Sequence, residues 1–144
     1  MPWRNKVILL VEDSPDDELL ILRALKAVNI RNEIIIKRDG AQALDYLFAN
    51  DSQVPQIILL DLKLPKIDGL EVLRQVRATP KTKTIPVVIL TSSKEEKDML
   101  ESYNLGVNSY ICKPVDFGEF NKAVKELGLY WLLLNEIIQP CKNQ

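Results

Sequence analysis

Five short runs of apolar residues, separated by charged and turn-forming segments, divide the chain. They cover residues 6–12, 33–38, 57–60, 85–90 and 109–112. Runs this short and this continuously apolar are typical of strands that are buried on both faces, as in a parallel sheet covered by helices. The pattern therefore predicts five buried strands.

Segments with helical periodicity follow these predicted strands. The first helix is expected to begin with Ser14 as its N-cap and Pro15 in its first position, with Asp17 completing a capping-box-like pair. A capping box is also predicted at residues 93–96, at the start of the fourth helix. The other helices are predicted to begin at Asp39, near Leu70 and at Asp116, and the last to run at least to Leu127.

The alternation of strands and helices determines the expected fold class. Five strands alternating with five helices predict an α/β fold with a doubly wound parallel sheet and right-handed crossovers. The element lengths fit the flavodoxin-like strand order 2-1-3-4-5, whose topological switch point lies between the first and third strands. Because such sheets bind ligands at the carboxyl ends of their strands, the candidate chemistry is expected there.

Polar residues follow four of the predicted strands at their carboxyl ends. They are Glu12 and Asp13 after the first, Asp61 after the third, Thr91 and Ser92 after the fourth, and Lys113 and Pro114 after the fifth. Carboxylates brought to one edge of a sheet would repel one another unless a cation lay among them. A few oxygen ligands, with room for water and a phosphate oxygen, indicate Mg²⁺ rather than a Ca²⁺ cage.

Asp61 is the candidate nucleophile of this group. With a cation bound, it would keep a free carboxylate oxygen that can attack a phosphorus atom. Lys113 could neutralise the transferred group, Thr91 could donate a hydrogen bond to it, and the small Ser92 would leave room for its approach. This is phosphoryl transfer by positioning and charge neutralisation, which needs no general base. Each of these residues alone is weak evidence for phosphoryl transfer. The prediction depends on finding all of them at the ends of different predicted strands.

Four motifs, VEDS, LLDLKLPKIDG, ILTSS and YICKP, carry a resemblance to a known family. Through them the chain, from residue 6 to about residue 127, resembles the receiver domains of two-component response regulators, the CheY-like family. The resemblance implies a phosphoacceptor at Asp61 and phosphoryl contacts from Thr91 and Lys113. It implies metal ligands from Glu12, Asp13, Asp61 and the backbone carbonyl of Lys63. Glu12 replaces the aspartate that is commoner in the family.

The same resemblance implies two further features near the end of the fifth strand. One is a cis peptide bond between Lys113 and Pro114. The other is a switch in which Thr91 moves toward the phosphoryl group and Tyr110 swings into the space that it leaves. From the pattern alone, Tyr110 is better explained as a strand aromatic packed against the fourth helix.

Composition narrows the possible classes of protein. The chain has 144 residues, 47% hydrophobic and 27% charged, which suits one globular domain. A net charge of -1 gives no reason to expect a nucleic-acid or membrane partner. The absence of histidine excludes His-based triads and His-ligated zinc, and it fits a family whose donor imidazole belongs to a separate histidine kinase. Cys112 and Cys141 have no CxxC spacing and are expected to be reduced thiols in a cytoplasmic protein.

The end of the chain is more apolar than a receiver domain needs. We expect residues 1–128 to form the receiver domain and residues 129–144, LYWLLLNEIIQPCKNQ, to form an apolar C-terminal helical extension. An exposed apolar patch usually marks an interface, so a homodimer through the extension and the fourth and fifth helices is expected. Its predicted interface residues are Tyr130, Trp131, Leu133 and Leu134. The alternative is that the fifth helix lengthens and covers its own core.

Longer segments narrow the resemblance within the family. Three segments resemble the receivers that are paired with cyanobacterial phytochromes. They are DGLEVLRQVRATPKTKTIPVVILTSS, ESYNLGVNSYICKPVDF and LGLYWLLLNE. That implies a light-regulated histidine kinase as donor, and output through contact with an unidentified protein. Two other classes stay open. A phosphatase of the haloacid dehalogenase type needs a second aspartate where Lys63 stands, and a phosphate-independent pseudo-receiver commonly lacks the acceptor or the lysine.

Overall fold

A computed structural model describes residues 7–126 of the chain. The strands in this part of the chain are β1 (Val7–Val11), β2 (Glu33–Lys37), β3 (Ile57–Leu60), β4 (Val87–Thr91) and β5 (Ser109–Cys112). The helices in the same part are α1 (Pro15–Ala27), α2 (Gly40–Phe48), α3 (Gly69–Ala78), α4 (Glu96–Asn104) and α5 (Phe117–Glu126). Strands and helices alternate as the sequence predicts.

The strands form one parallel sheet in the order β2-β1-β3-β4-β5. Near the middle of the sheet, Leu9 of β1 is paired with Ile35 of β2 on one side and with Ile58 of β3 on the other. The predicted flavodoxin-like order is therefore confirmed. The direction of winding reverses between β1 and β3, so the crevice at their carboxyl ends is where a sheet of this kind binds ligands.

Side chains alternate between the two faces of the sheet, and each face has its own core. One core contains Leu59 of β3 together with Ile21 of α1 and Phe120 of α5. The other contains Ile58 of β3 together with Leu73 of α3, and it also includes residues of α2. Because β3 is buried on both faces, the position of the residue that follows it is tightly fixed.

The loop between β3 and α3 approaches the sheet so closely that it requires glycine at position 69. A Cβ atom on Gly69 would lie 2.2 Å from the carbonyl oxygen of Asp61 and 2.6 Å from the Cα atom of Leu62. The Gly69 amide instead donates a hydrogen bond to the Leu62 carbonyl oxygen at 2.9 Å. The first residue of α3 therefore lies directly against the backbone of Asp61 and helps to hold it in place.

The start of α4 differs from the sequence prediction. Residues 93–96 do not form a capping box, because α4 begins at Glu96 with Glu95 as its N-cap and without a side-chain capping bond. The hydroxyl of Ser93 donates instead to Oδ2 of Asp98 at 2.7 Å. The hydroxyl oxygen of Ser93 accepts the amide of Glu95 at 3.3 Å, which closes a turn ahead of the helix, while its proton goes to Asp98 in the first turn of α4. The helix therefore begins after this turn.

The start of α1 is partly as predicted. Ser14 is the N-cap and accepts a hydrogen bond from the Asp17 amide at 3.2 Å. The Asp17 carboxylate does not complete a capping box, because the Ser14 amide already donates to Oε2 of Glu12 at 3.1 Å.

Strand β4 begins at Val87 rather than at residue 85. It follows Pro86, which has no N–H group to donate to the neighbouring strand.

Residues 1–6 and 127–144 lie outside the described residues. Several predictions concern these residues and stay predictions. They are the domain boundary at residue 128, the reduced state of Cys141 and the interface residues Tyr130, Trp131, Leu133 and Leu134. Cys112 lies in β5 as a free thiol. None of the helices within residues 7–126 has the length and apolar character needed to cross a membrane.

Candidate functional site

Three carboxylates meet at the carboxyl ends of β1 and β3. Oxygen atoms of Glu12, Asp13 and Asp61 lie within 4.8 Å of one another. Glu12 and Asp61 directly follow the last residues of β1 and β3 and are 1% and 4% exposed, whereas Asp13 faces solvent. The structure thus brings together the three acids that the strand pattern predicted to converge.

The ammonium group of Lys113 lies among these acids. Its Nζ atom is 2.7 Å from Oε1 of Glu12, 2.9 Å from Oδ2 of Asp61 and 2.9 Å from Oδ2 of Asp17. Burial lowers the pKa of Lys113, but the three neighbouring carboxylates outweigh it, and the net pKa is raised above its ordinary value. The side chain is therefore charged at neutral pH although it is only 9% exposed. The following peptide bond, to Pro114, is cis, as the resemblance implies.

Asp17 is a member of this pocket that sequence reasoning missed. The sequence predicts a capping pair for this residue, whereas its carboxylate, 33% exposed, contacts Lys113. The sequence did hold a signal for it. Because α1 begins at Pro15, soon after β1 ends at Val11, the first turn of α1 has to lie over the same edge of the sheet as Glu12.

The pocket around Glu12 contains fewer positive charges and hydrogen-bond donors than its carboxylate oxygens could accept. Its Oε1 atom is buried and accepts no hydrogen bond, because the contact with Lys113 is an ion pair without hydrogen-bond geometry. Burial raises the pKa of Glu12, although the Lys113 ammonium and the Ser14 amide act to lower it. A buried oxygen without a donor, beside the oxygens of Asp13 and Asp61, suits a hard divalent cation. The residues present therefore fit the metal that the resemblance implies.

The two carboxylate oxygens of Asp61 have different partners. Oδ2 accepts a hydrogen bond from Lys113, and Oδ1 accepts one from the amide of Lys63 at 3.2 Å. The Asp61 amide donates to the carbonyl oxygen of Val11 at 3.1 Å. Both the backbone and the carboxylate of Asp61 are thus oriented before any ligand arrives, which is what a positioned nucleophile requires.

A second network joins this site to the start of α4. The buried Asp98 accepts the Ser93 hydroxyl and lies 3.4 Å from Nζ of Lys63. Ser93 donates its amide to the hydroxyl oxygen of Thr91 at 3.3 Å and accepts the Tyr110 hydroxyl at its carbonyl oxygen at 3.0 Å. The bond from Ser93 lowers the pKa of Asp98, against the effect of burial, and Lys63 lowers it further. Ser93 and Asp98 are the members of this network that sequence reasoning missed.

The remaining predicted residues lie beside the cluster of acids. Thr91 is the last residue of β4, is fully buried and is paired with Cys112, the residue before Lys113. Ser92 is exposed. Tyr110 is half-buried in β5 and packs against the core that contains α2 and α3. Burial raises the pKa of its hydroxyl.

Comparison with protein families identifies the chain. The family described as "Response regulator receiver domain" matches residues 8–125, which include every strand that contributes to the site. The chain belongs to the response regulator receiver domain family. It is therefore a phosphoryl-accepting receiver, and members of its family are signalling proteins that are generally not enzymes.

Two relatives match most of the chain. The probable methanogenesis regulatory protein FilR2 of Methanothrix harundinacea is 42% identical over 137 residues, which cover 93% of this chain and 88% of FilR2. The response regulator Rcp1 of Synechocystis is 45% identical over 131 residues, which cover 88% of this chain and 89% of Rcp1.

Three solved structures share the fold at substantial identity. The bacteriophytochrome response regulator RtBRR has a TM-score of 0.79 and 54% identity, over 90% of this chain and 82% of that one. The Mn²⁺-bound form of Rcp1 has a TM-score of 0.75 and 44% identity, over 90% and 96% of the two chains. The phosphorylated cyanobacterial phytochrome response regulator RcpA has a TM-score of 0.73 and 43% identity, over 88% and 94%.

Family membership and geometry together decide between the classes left open by the sequence. A phosphatase of the haloacid dehalogenase type is not favoured, because the receiver family matches almost the whole described region and Lys63 stands where the second aspartate would be. A pseudo-receiver is not favoured either, because Asp61, Lys113 and the cluster of acids are all in place.

Replacing Glu12 tests the electrostatic balance of the pocket. Glu12→Gln is expected to change the stability of the metal-free protein by less than about 1 kcal/mol, because the lost repulsion from Asp61 offsets the lost ion pair with Lys113. It should also remove the stabilisation by MgCl₂, since a neutral amide is a weaker ligand for a hard cation. Thermal unfolding in EDTA and in MgCl₂ measures both effects.

The matched control is Glu119→Gln, which neutralises an exposed carboxylate of α5 and should change neither value. A Glu12→Gln protein that MgCl₂ stabilises as much as it stabilises the wild type would contradict the place of Glu12 among the acids that hold a metal ion.

Proposed function

We propose that this chain is a response regulator that accepts a phosphoryl group on Asp61 from a phytochrome histidine kinase. The observation that carries the proposal is the buried Lys113 ammonium, 2.9 Å from Oδ2 of Asp61, at the edge of a cluster of three acids. The identity with RtBRR and RcpA, which are named as phytochrome response regulators, supports the choice of donor. We place the protein in the cytoplasm, where such a kinase would present its phosphohistidine.

The residues of the pocket suit in-line transfer to an aspartate. We assign Glu12, Asp13, Asp61 and the Lys63 carbonyl as ligands of Mg²⁺, which supplies positive charge at the transferring phosphoryl oxygens when bound. An Asp61 oxygen forms a bond to phosphorus while the bond between phosphorus and the donor breaks. Lys113 neutralises the transferred group, and the Thr91 hydroxyl donates to it. The exposed Ser92 leaves the approach open.

The choice of Mg²⁺ follows from the ligand chemistry. All the proposed ligands are oxygen atoms, which suit Mg²⁺ and also Mn²⁺. The structure of Rcp1 is named as a Mn²⁺-bound form, which supports a divalent cation in this pocket without distinguishing the two. The protein needs no other cofactor to catalyse its own phosphorylation and slow dephosphorylation, and we propose no other enzymatic activity.

We propose Thr91 and Tyr110 as the switch. A phosphoryl group on Asp61 would offer a new partner to the Thr91 hydroxyl, whose oxygen now accepts the Ser93 amide. A shift of Ser93 would disturb the bond from the Tyr110 hydroxyl and the bond to Asp98 on α4. The signal would thus reach the face formed by α4, β5 and α5, which we propose as the surface read by a downstream protein. We expect no nucleic-acid or membrane partner.

The name of FilR2 bears on the choice of donor. FilR2 is named as a probable methanogenesis regulatory protein. Proteins that are 42% identical to this chain are therefore not all named as phytochrome regulators. The identity is 54% with RtBRR and 42% with FilR2, and this difference favours a light-regulated kinase.

Phosphotransfer to the wild type and to Asp61→Asn tests the proposal. With MgCl₂, the wild type should gain one phosphoryl group from acetyl phosphate and from a phosphorylated phytochrome kinase, as measured by intact mass. Asp61→Asn should gain none, because an amide oxygen is not a nucleophile under these conditions. Asp68→Asn, which alters an exposed helix cap at α3, is the control and should be phosphorylated like the wild type.

Two outcomes would contradict different parts of this proposal. Phosphorylation of Asp61→Asn at the wild-type rate would show that another residue is the acceptor. Normal reaction with acetyl phosphate and none with a phosphorylated phytochrome kinase would reject the phytochrome donor and keep the acceptor.

We further propose that the protein forms a homodimer through the apolar extension and the face of α4, β5 and α5. The outer side of α4 exposes three apolar side chains, Met99, Leu100 and Tyr103, of which Leu100 is 61% exposed. Large apolar residues grouped on one exposed helix face are typical of an interface. The predicted interface residues Tyr130, Trp131, Leu133 and Leu134 would complete it.

Sedimentation velocity at tens of micromolar tests the dimer. The wild type should sediment as a dimer, whereas Leu100→Arg and Trp131→Ser should sediment as monomers, because each places a charge or a cavity in the interface. Leu19→Arg, at an exposed leucine of α1, is the matched control and should stay dimeric. A monomeric wild type, with and without acetyl phosphate, would reject the proposal.

A further inference from the structure

We infer that Asp17 is a positioning residue for Lys113. It supplies the ammonium with a counterion that is not one of the three acids grouped for a metal ion. The inference rests on the proposed function, in which Lys113 neutralises the phosphoryl group on Asp61. It assigns a role to an acid that the strand pattern did not place in the site.

The contacts of Lys113 show why a separate counterion matters. An ammonium group has three N–H donors, and Nζ of Lys113 has three carboxylate neighbours, Glu12, Asp17 and Asp61, at 2.7 to 2.9 Å. Glu12 and Asp61 also belong to the group of acids that can hold a metal ion. A divalent cation and the ammonium therefore draw on the same two carboxylates, and Asp17 is the partner that they do not share.

Asp17 is held in place for this contact by the start of α1. Its amide donates to the Ser14 side chain at 3.2 Å, which fixes the first turn of the helix. Its carboxylate makes no capping box, because Glu12 occupies the Ser14 amide. With the helix backbone fixed and the carboxylate directed to Lys113, Asp17 can keep the ammonium in the pocket while Glu12 and Asp61 bind another cation.

The consequence is a coupling between Asp17 and metal binding that passes through Lys113. Without the Asp17 carboxylate, the ammonium would depend on Glu12 and Asp61 alone, and a divalent cation would compete with it for both. Mg²⁺ binding should then weaken by more than the loss of one nearby negative charge explains. At saturating Mg²⁺, the lysine would also be less well oriented toward the phosphoryl group.

Calorimetric titration of the unphosphorylated protein with MgCl₂ tests this coupling directly. Asp17→Asn is expected to raise the Mg²⁺ dissociation constant by about three- to tenfold relative to Asp16→Asn. Asp16 is the matched control, because it is an exposed acid in the same helical turn and is not one of the three that contact Lys113. Asp17→Glu keeps the charge and should restore most of the affinity.

The same pair of substitutions in a Lys113→Met background separates positioning from a general electrostatic effect. There, the difference between Asp17→Asn and Asp16→Asn in the Mg²⁺ dissociation constant should largely disappear, since no ammonium is left to position. A difference that persists without Lys113 would overturn the inference, as would equal effects of the two substitutions in the wild-type background. Thermal unfolding of each variant verifies that it is folded.

The maximal rate of phosphorylation by acetyl phosphate at saturating Mg²⁺ is the second measurement. Asp17→Asn should lower it about threefold or more, and Asp16→Asn should not. If the wild type is phosphorylated on Asp61 and the two variants react alike, the inference is wrong and the proposed function stands. If the wild type is not phosphorylated at all, the proposed function is wrong, and the calorimetric comparison still decides the role of Asp17.

Discussion

The constraint on which this protein depends is the burial of several acids around a single ammonium group. Glu12 and Asp61 are almost inaccessible to water, and Lys113 lies within 2.9 Å of both. Burying a carboxylate is unfavourable unless it is paired and hydrogen-bonded, and Glu12 Oε1 accepts no hydrogen bond. The pocket is therefore arranged for more positive charge than its own side chains supply. That deficit is the physical basis for binding a divalent cation and, with it, a phosphoryl group.

The rest of the fold fixes the groups that create this deficit. Two separate cores bury both faces of β3, so Asp61 at its end has little freedom, and the contact with Gly69 restricts it from the other side. The same residue is linked outward through the Lys63 amide, while the Lys63 ammonium lies beside Asp98 of α4. A change of charge at Asp61 is thus placed where it can affect both the pocket and α4. This arrangement explains how one covalent modification could alter a distant protein surface.

The sequence predicted the fold and the centre of the site well, because both depend on strong patterns. Continuous apolar runs identified the strands, and the sheet topology then brought Glu12, Asp61 and Lys113 to one edge. It did not predict the roles of Asp17 and Asp98, since each lies in a helix where an acid has ordinary explanations as a cap or a surface charge. The capping box expected at residues 93–96 failed for the same reason, because the local motif could not show that Ser93 donates its hydroxyl to Asp98 and accepts the Glu95 amide in a turn before α4. Local patterns predict elements, whereas tertiary contacts decide which polar side chains are used within the site.

The measurement that tests this account most directly is the unfolding free energy of Lys113→Met with and without MgCl₂, compared with Lys26→Met at an exposed site on α1. If the ammonium compensates the buried acids, Lys113→Met should lose about 3 kcal/mol in EDTA, and saturating Mg²⁺ should restore a large part of the loss. Lys26→Met should lose little under either condition. A metal-free Lys113→Met protein as stable as the wild type would contradict the account, because the acids would then tolerate one another without the charge that is held responsible for their burial.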